Sequence, residues 1–399
     1  MKPNILWIVT TQWRAQACGY AGDPNARTPV LDALAAQSIN YTQAVTPHPF
    51  GPFARAAMLT GLPSPQNGVR HYDDPLPQLV PTIAHALGAF DYRTAYFGKW
   101  HLAPRERDVP LVGEAHAKTI VAPENRGGFE FWEGFEGGFQ LNDPWFHGTR
   151  LPLPVQFQGY QSDVLCQRAA TWLTAQRSSD GPWFAVVSLE APHPPYREGA
   201  AGIAPAKPES LQLRPNLPKG GKVEARARVE LAGYYAHIAA TDRAIGRLLA
   251  AVGLANTVVA FTSVHGDMHG SHGLFRKGWP QEESVRVPLL VCLPGGDARN
   301  DESPVSIQDL PAMTQAWAVG MDWKCARDFA PISMPSVVDL PEQCDRIWHG
   351  IRSKDRKLVL GTDDSPWLFY DLAPDPHETV NLALSPERGT EIEQLITRI

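Results

Sequence analysis

Residues 261–288 read FTSVHGDMHGSHGLFRKGWPQEESVRVP. The stretch is dense in residue types that do chemistry. Imidazole moves protons near neutral pH, and a lysine ammonium holds anions. His265 and Lys277 stand in it among glycines, after an apolar run at residues 257–261 that reads as a buried strand. A loop at the carboxyl end of such a strand is where open α/β sheets place their chemistry. Yet Val264 occupies the first position after the strand, where a site calls for a polar group.

The elements that must position this loop alternate between strand and helix. Residues 5–10 form a near-continuous apolar run, typical of a strand covered on both faces. Residues 29–38 read as a helix, with Thr28 as N-cap and Pro29 in its first turn. Further helices are expected at 53–60, 82–88, 163–176 and 225–252, and further strands at 92–97, 183–189 and 287–293. Helices between such strands imply a mostly parallel central sheet with helices on both faces. After about residue 320 the pattern changes. Short strands near Lys357 and Trp367 and a terminal helix at 385–399 suggest a small C-terminal α+β domain. The division is 1–320 and 321–399. Two stretches, 102–160 and 199–222, are rich in Gly and Pro and irregular, as lids, substrate walls or variable surface loops are.

Bulk properties narrow the function. The chain has 399 residues, 43% hydrophobic and 20% charged, with a net charge of −6. It carries no long basic run, which argues against a nucleic-acid partner. No segment approaches the ~18 apolar residues of a membrane span, and the amino terminus reads as a strand rather than a signal peptide. Five scattered cysteines without a CxxC pair point to reduced thiols and a cytoplasmic protein.

Several segments, in order, resemble the sulfatases of the alkaline phosphatase superfamily: KPNILWIVTTQWRAQACGYAGDPNARTPVLDALAAQS, RAAMLTGLPSPQNGV, YFGKWHL, APHPPY, GSHGLFRKGWPQEESVRVPLLV and FYDLAPDPHETVNLA. The resemblance spans nearly the whole chain. It implies a pocket in which a formylglycine, made from cysteine, attacks a sulfate ester. A calcium ion held by aspartates would assist, and lysines and histidines would bind the remaining oxygens.

Residue by residue, that machinery is incomplete. Thr11, followed by Gln12, stands where the family places a metal aspartate, and Val264 stands at a second. A gap-free register puts Gly51 at the nucleophile position, and a register with one insertion puts Phe50 there; neither can form formylglycine. The cationic side remains. The resemblance assigns Arg55, Lys99 and Lys277 to substrate binding and His101, His193 and His265 to catalysis, with His48 as a further candidate near the lost nucleophile. Asp267 and Glu283 lie near the loop but are not the family's metal ligands. The expectation is a pocket with no metal and no cofactor, with excess positive charge, taking a sulfated, phosphorylated or carboxylated small molecule. Three readings follow. The chain is an enzyme repurposed for metal-independent acid–base chemistry such as elimination, a non-catalytic binding module, or a hydrolase with compensating residues.

Overall fold

Alternate residues of the central strands feed two separate apolar layers, the period of two that a buried strand imposes. The computed structural model describes residues 2–105, 109–176 and 181–399. Its large sheet contains β1 (Asn4–Thr10), β2 (Ile39–Tyr41), β3 (Arg93–Lys99), β4 (Phe131–Phe135), β5 (Trp145–Gly148), β6 (Val155–Gln156), β7 (Trp183–Ser188), β8 (Thr257–Ser263), β9 (Leu289–Cys292) and β10 (Arg299–Asp301). Their order is β10-β2-β9-β8-β1-β7-β3-β4-β5-β6. The centre, from β8 to β4, is parallel, and β9 and β5 are antiparallel to their neighbours.

On one face Trp7, Val9, Phe184 and Val186 pack with helices Gly51–Thr60, Ile83–Gly88 and Leu310–Ala318. On the other, Leu6, Ile8, Ala185 and Val187 pack with helices Pro29–Ala35, Gln161–Ala175 and Gly221–Val252. Both faces are therefore covered. The register aligns the carboxyl ends of four strands: Thr10 pairs with Ser263, Val9 with Ser188, and Ser188 with Gly98. These four strand ends and the segments leaving them carry most of the candidate site residues, while His48, Phe50, Gly51 and Arg55 come from the helix Gly51–Thr60 and the residues just before it.

The structure differs from the sequence reading in the 102–160 stretch. Rather than remaining irregular, it extends the sheet by β4, β5 and β6. Residues 106–108 of that stretch lie outside the described residues. The glycines in FWEGF and WFHG interrupt any strand periodicity, but here they allow close approach. A Cβ on Gly134 would lie 2.1 Å from the Gly98 carbonyl oxygen.

A second, antiparallel sheet runs β11 (Ala330–Met334), β12 (Trp348–Arg352), β13 (Arg356–Leu360), β14 (Pro366–Asp371), with a helix at Gly389–Ile396. Pro331 is tolerated because β11 is an edge strand. This small unit is tied to the loop that carries Lys277. Cys344 N–H donates to the Lys277 carbonyl (3.1 Å), and Trp348 Nε1 to that of Gly278 (2.9 Å). Buried ion pairs from Arg352 (2.8 Å) and Lys357 (2.7 Å) to Glu282 add to the attachment.

Candidate functional site

A cavity of about 330 Å³ opens at the carboxyl ends of the four aligned strands. Lys99 ends β3, and His101 follows two residues later. His193 follows β7, and His265 and Lys277 follow β8. All five line the cavity, together with Thr11, Phe50, Gly51, Tyr72, Phe139 and Arg276. Leu340, Pro341 and Gln343 close it from the C-terminal unit.

The hydrogen bonds fix the state of each histidine, because a carbonyl only accepts and a guanidinium only donates. His265 Nδ1 donates to the Gly266 carbonyl (2.9 Å), leaving Nε2 as a lone pair that is buried without a partner. His193 Nδ1 donates to the Pro194 carbonyl (2.8 Å), and its Nε2 accepts from Lys277 Nζ (3.1 Å). His101 Nε2 faces Arg105 Nη1 (3.4 Å), which places the proton on Nδ1, buried and without a partner. Among the described residues, His265 Nε2 is thus a buried base and His101 Nδ1 a buried donor without a partner. Burial, reinforced by nearby lysine charge, holds all three well below the usual histidine range, so they are neutral at neutral pH. His101 sits in the left-handed region at φ 61°, a conformation a non-glycine residue adopts at a cost and often at a functional site.

The two lysines are held differently. Lys99 Nζ pairs with Glu190 Oε1 at 2.7 Å and lies 4.8 Å from the centre of the Phe139 ring. Burial lowers its pKa. Lys277 Nζ donates to Gln12 Oε1 (2.7 Å) and His193 Nε2. Burial, then the charge of Lys99, brings it down to about 7. Glu190 was not among the sequence candidates. Its Oε1 also lies 3.5 Å from His193 Nδ1, so the excess positive charge expected of the site is partly offset. Its place three residues before His193 was the available signal. Phe139, stacked on His193 at 4.4 Å, comes from a distant loop and carried none.

Four expected residues stand elsewhere. His48 is buried outside the cavity lining, with Nε2 accepting from Ser64 N–H (2.9 Å) and Nδ1 facing Ser333 (3.1–3.2 Å). Both nitrogens are used, so it has none left for a ligand. Arg55 lies behind the pocket, donating to the Lys99 carbonyl (2.9 Å), Ser188 Oγ (2.7 Å) and Thr11 Oγ1 (2.9 Å). It braces three strand ends rather than touching the cavity. Gln12 is also outside the lining and positions Lys277; its backbone is left-handed at φ 68°. Val264 is fully buried in an apolar layer, which is why a valine follows the strand. It fills core space and does not wall the pocket.

The calcium and formylglycine of the resemblance do not fit these residues. Thr11 Oγ1 donates to the Leu189 carbonyl and accepts from Arg55, and Gln12 Oε1 accepts an ammonium proton. Asp267 is committed as well: Oδ2 accepts from Tyr196 and Gln12, and Oδ1 from the His269 and Arg276 amides. Calcium needs several open hard oxygens, and the described lining offers amines and imidazoles instead. At the nucleophile position both Phe50 and Gly51 line the cavity. Gly51 is the one against His101, since a Cβ there would lie 2.9 Å from its Nδ1.

The pocket thus gathers two lysines and three histidines at the carboxyl ends of the parallel strands of this sheet. The sulfatase family model matches residues 3–321, and the chain belongs to the sulfatase family. It is 35% identical to the ulvan-active sulfatase of Formosa agariphila, across 100% of this chain and 80% of that protein. It is 27% identical to an arylsulfatase of Clostridium perfringens, across 99% of this chain and 93% of that one. The crystal structure of the yidJ protein of Bacteroides fragilis shares the fold, with a TM-score of 0.84 at 24% identity, over 99% and 94% of the two chains.

Proposed function

We propose that this sulfatase-family protein binds the sulfate ester of a small saccharide between Lys99 and Lys277 and acts on it by acid–base chemistry, without metal or covalent nucleophile. One observation carries the reading. The pocket pairs an unpartnered base, His265 Nε2, with an unpartnered donor, His101 Nδ1, beside two ammonium groups. In an elimination His265 takes a proton from the carbon next to the sulfated carbon. The C–H electrons form the double bond, the C–O bond breaks, and sulfate leaves with that electron pair. Lys99 and Lys277 hold the departing charge, as preorganised donors do in transition states; His101 Nδ1–H donates a hydrogen bond to it, and Lys277 supplies a proton. The saccharide class is suggested by the ulvan-active relative. The unpaired thiols of all five cysteines support a cytoplasmic setting within the same proposal.

A second reading, hydrolysis at sulfur by water, is favoured by similarity to sulfatases over the whole chain. Sulfate release from sulfated oligosaccharides in isotopically heavy water separates the two. Elimination breaks C–O and leaves the sulfate unlabelled, with an unsaturated sugar lighter by one water. Hydrolysis at sulfur labels the sulfate. Binding without any sulfate release would make the protein a non-catalytic module and sink both.

A further inference from the structure

A second cavity, of about 420 Å³, adjoins the first. Tyr72 and Leu340 line both. Arg105 lines the second and contacts two residues of the first, Tyr72 and His101. Its guanidinium carbon lies 4.6 Å from the centre of the Tyr72 ring, and Nη1 lies 3.4 Å from His101 Nε2. We infer that this second cavity is a subsite for an uncharged, hydroxyl-bearing sugar unit joined to the sulfated unit. The inference rests on the reading of the first pocket as a sulfate-ester site.

The lining supports that choice of ligand. Arg105 faces the cavity but is already opposed by Glu136, whose Oε1 is 3.8 Å from Nε. Exposed carboxylates of Asp73 and Asp339 stand on the same lining. A second sulfate or a uronate would meet acidic groups there. Sugar hydroxyls are served by both signs, since they donate to carboxylates and accept from a guanidinium. Leu111 and Val338 offer apolar surface for the C–H face of a ring. The two cavities together also fall within the range of sites for larger ligands, more than one sulfated monosaccharide fills. Because Arg105 lines the second cavity and contacts His101 Nε2, occupancy of the second bears on the orientation of the His101 ring.

The test is calorimetry with galactose monosulfates, with lactose monosulfates carrying the same sulfate on galactose, and with analogues whose glucose is replaced by glucuronate. The lactose series is expected to bind about tenfold tighter than the galactose series, the equivalent of one or two added hydrogen bonds. Leu111→Trp, which fills the second cavity alone, should return the disaccharide to monosaccharide affinity and leave the monosaccharide unchanged. Asp73→Asn with Asp339→Asn should weaken only the disaccharide. Equal affinity of the galactose and lactose series, or tighter binding of the glucuronate analogues, overturns the subsite while leaving the first pocket standing. Binding of none of these compounds overturns both.

Discussion

Gly51→Ala is the smallest change that tests whether His101 works in the pocket. Gly51 opens the helix Gly51–Thr60, and its backbone lies outside the left-handed region. Alanine is therefore acceptable to the main chain and favoured in a helix by up to about 1 kcal/mol. The new methyl would lie 2.9 Å from His101 Nδ1 and 3.2 Å from Cε1. Comfortable contact needs roughly 3.5 Å or more, so the ring must yield by about half an ångström. It is bounded by Tyr72, edge-on at 5.8 Å, and by Arg105 at Nε2, so the shift takes it off that contact. Displacement of a reacting group by about 1 Å costs on the order of a hundredfold. A loss of roughly tenfold or more in sulfate release is expected, with thermal stability nearly unchanged. Initial rates and thermal unfolding, measured side by side, decide it. Wild-type turnover in the alanine variant would show that His101 takes no part in the chemistry.

Three further outcomes follow from the same geometry. Sulfate affinity should fall as pH rises through about 7, where Lys277 loses its proton; calorimetry across that range should show Lys277→Met both weaker, by roughly ten- to a hundredfold, and flat with pH. Arg55→Met should act on the fold, since it strips buried charged hydrogen bonds from three strand ends, costing about 2–4 kcal/mol in denaturant unfolding. Dialysis against a chelator should change neither sulfate release nor the unfolding midpoint; activity lost to the chelator and restored by calcium would refute the metal-free reading.

What the sequence made legible depended on how residues satisfy their neighbours. Continuous apolar runs announced β1, β7 and β8, because strands covered on both faces have no polar side to show. The β4–β6 extension was hidden, since FWEGF and WFHG mix glycine and charge into their strands. Buried Glu133 is matched there by Arg150 and Arg168, partners no local pattern reveals. In the site, Lys99, His101, His193, His265 and Lys277 converge as the motif register implied. His48 and Arg55 had the right types and nearly the right places, but both His48 nitrogens and both Arg55 terminal nitrogens are engaged by protein partners. Tyr72 and Phe139 belong to the site through tertiary contacts alone, and Glu190 was marked only by its place three residues before His193.

Thr11 and Gln12 belong to a set of buried polar groups whose charges largely answer one another. Two buried ammonium groups and a buried guanidinium with no carboxylate nearby would be costly. Glu190 answers Lys99 directly, at 2.7 Å. Lys277 is answered through an amide: Gln12 Oε1 accepts from it while Gln12 Nε2 donates to Asp267, so the buried aspartate polarises the contact without touching the ammonium. Arg55 finds neutral acceptors, one of them the Thr11 hydroxyl. An aspartate at position 11 would lie beside Arg55 and compete with Glu190 for the local cations. Among the described lining residues, His265 Nε2 and His101 Nδ1 remain as an acceptor and a donor without partners, the first suited to take a proton and the second to hydrogen-bond a developing negative charge.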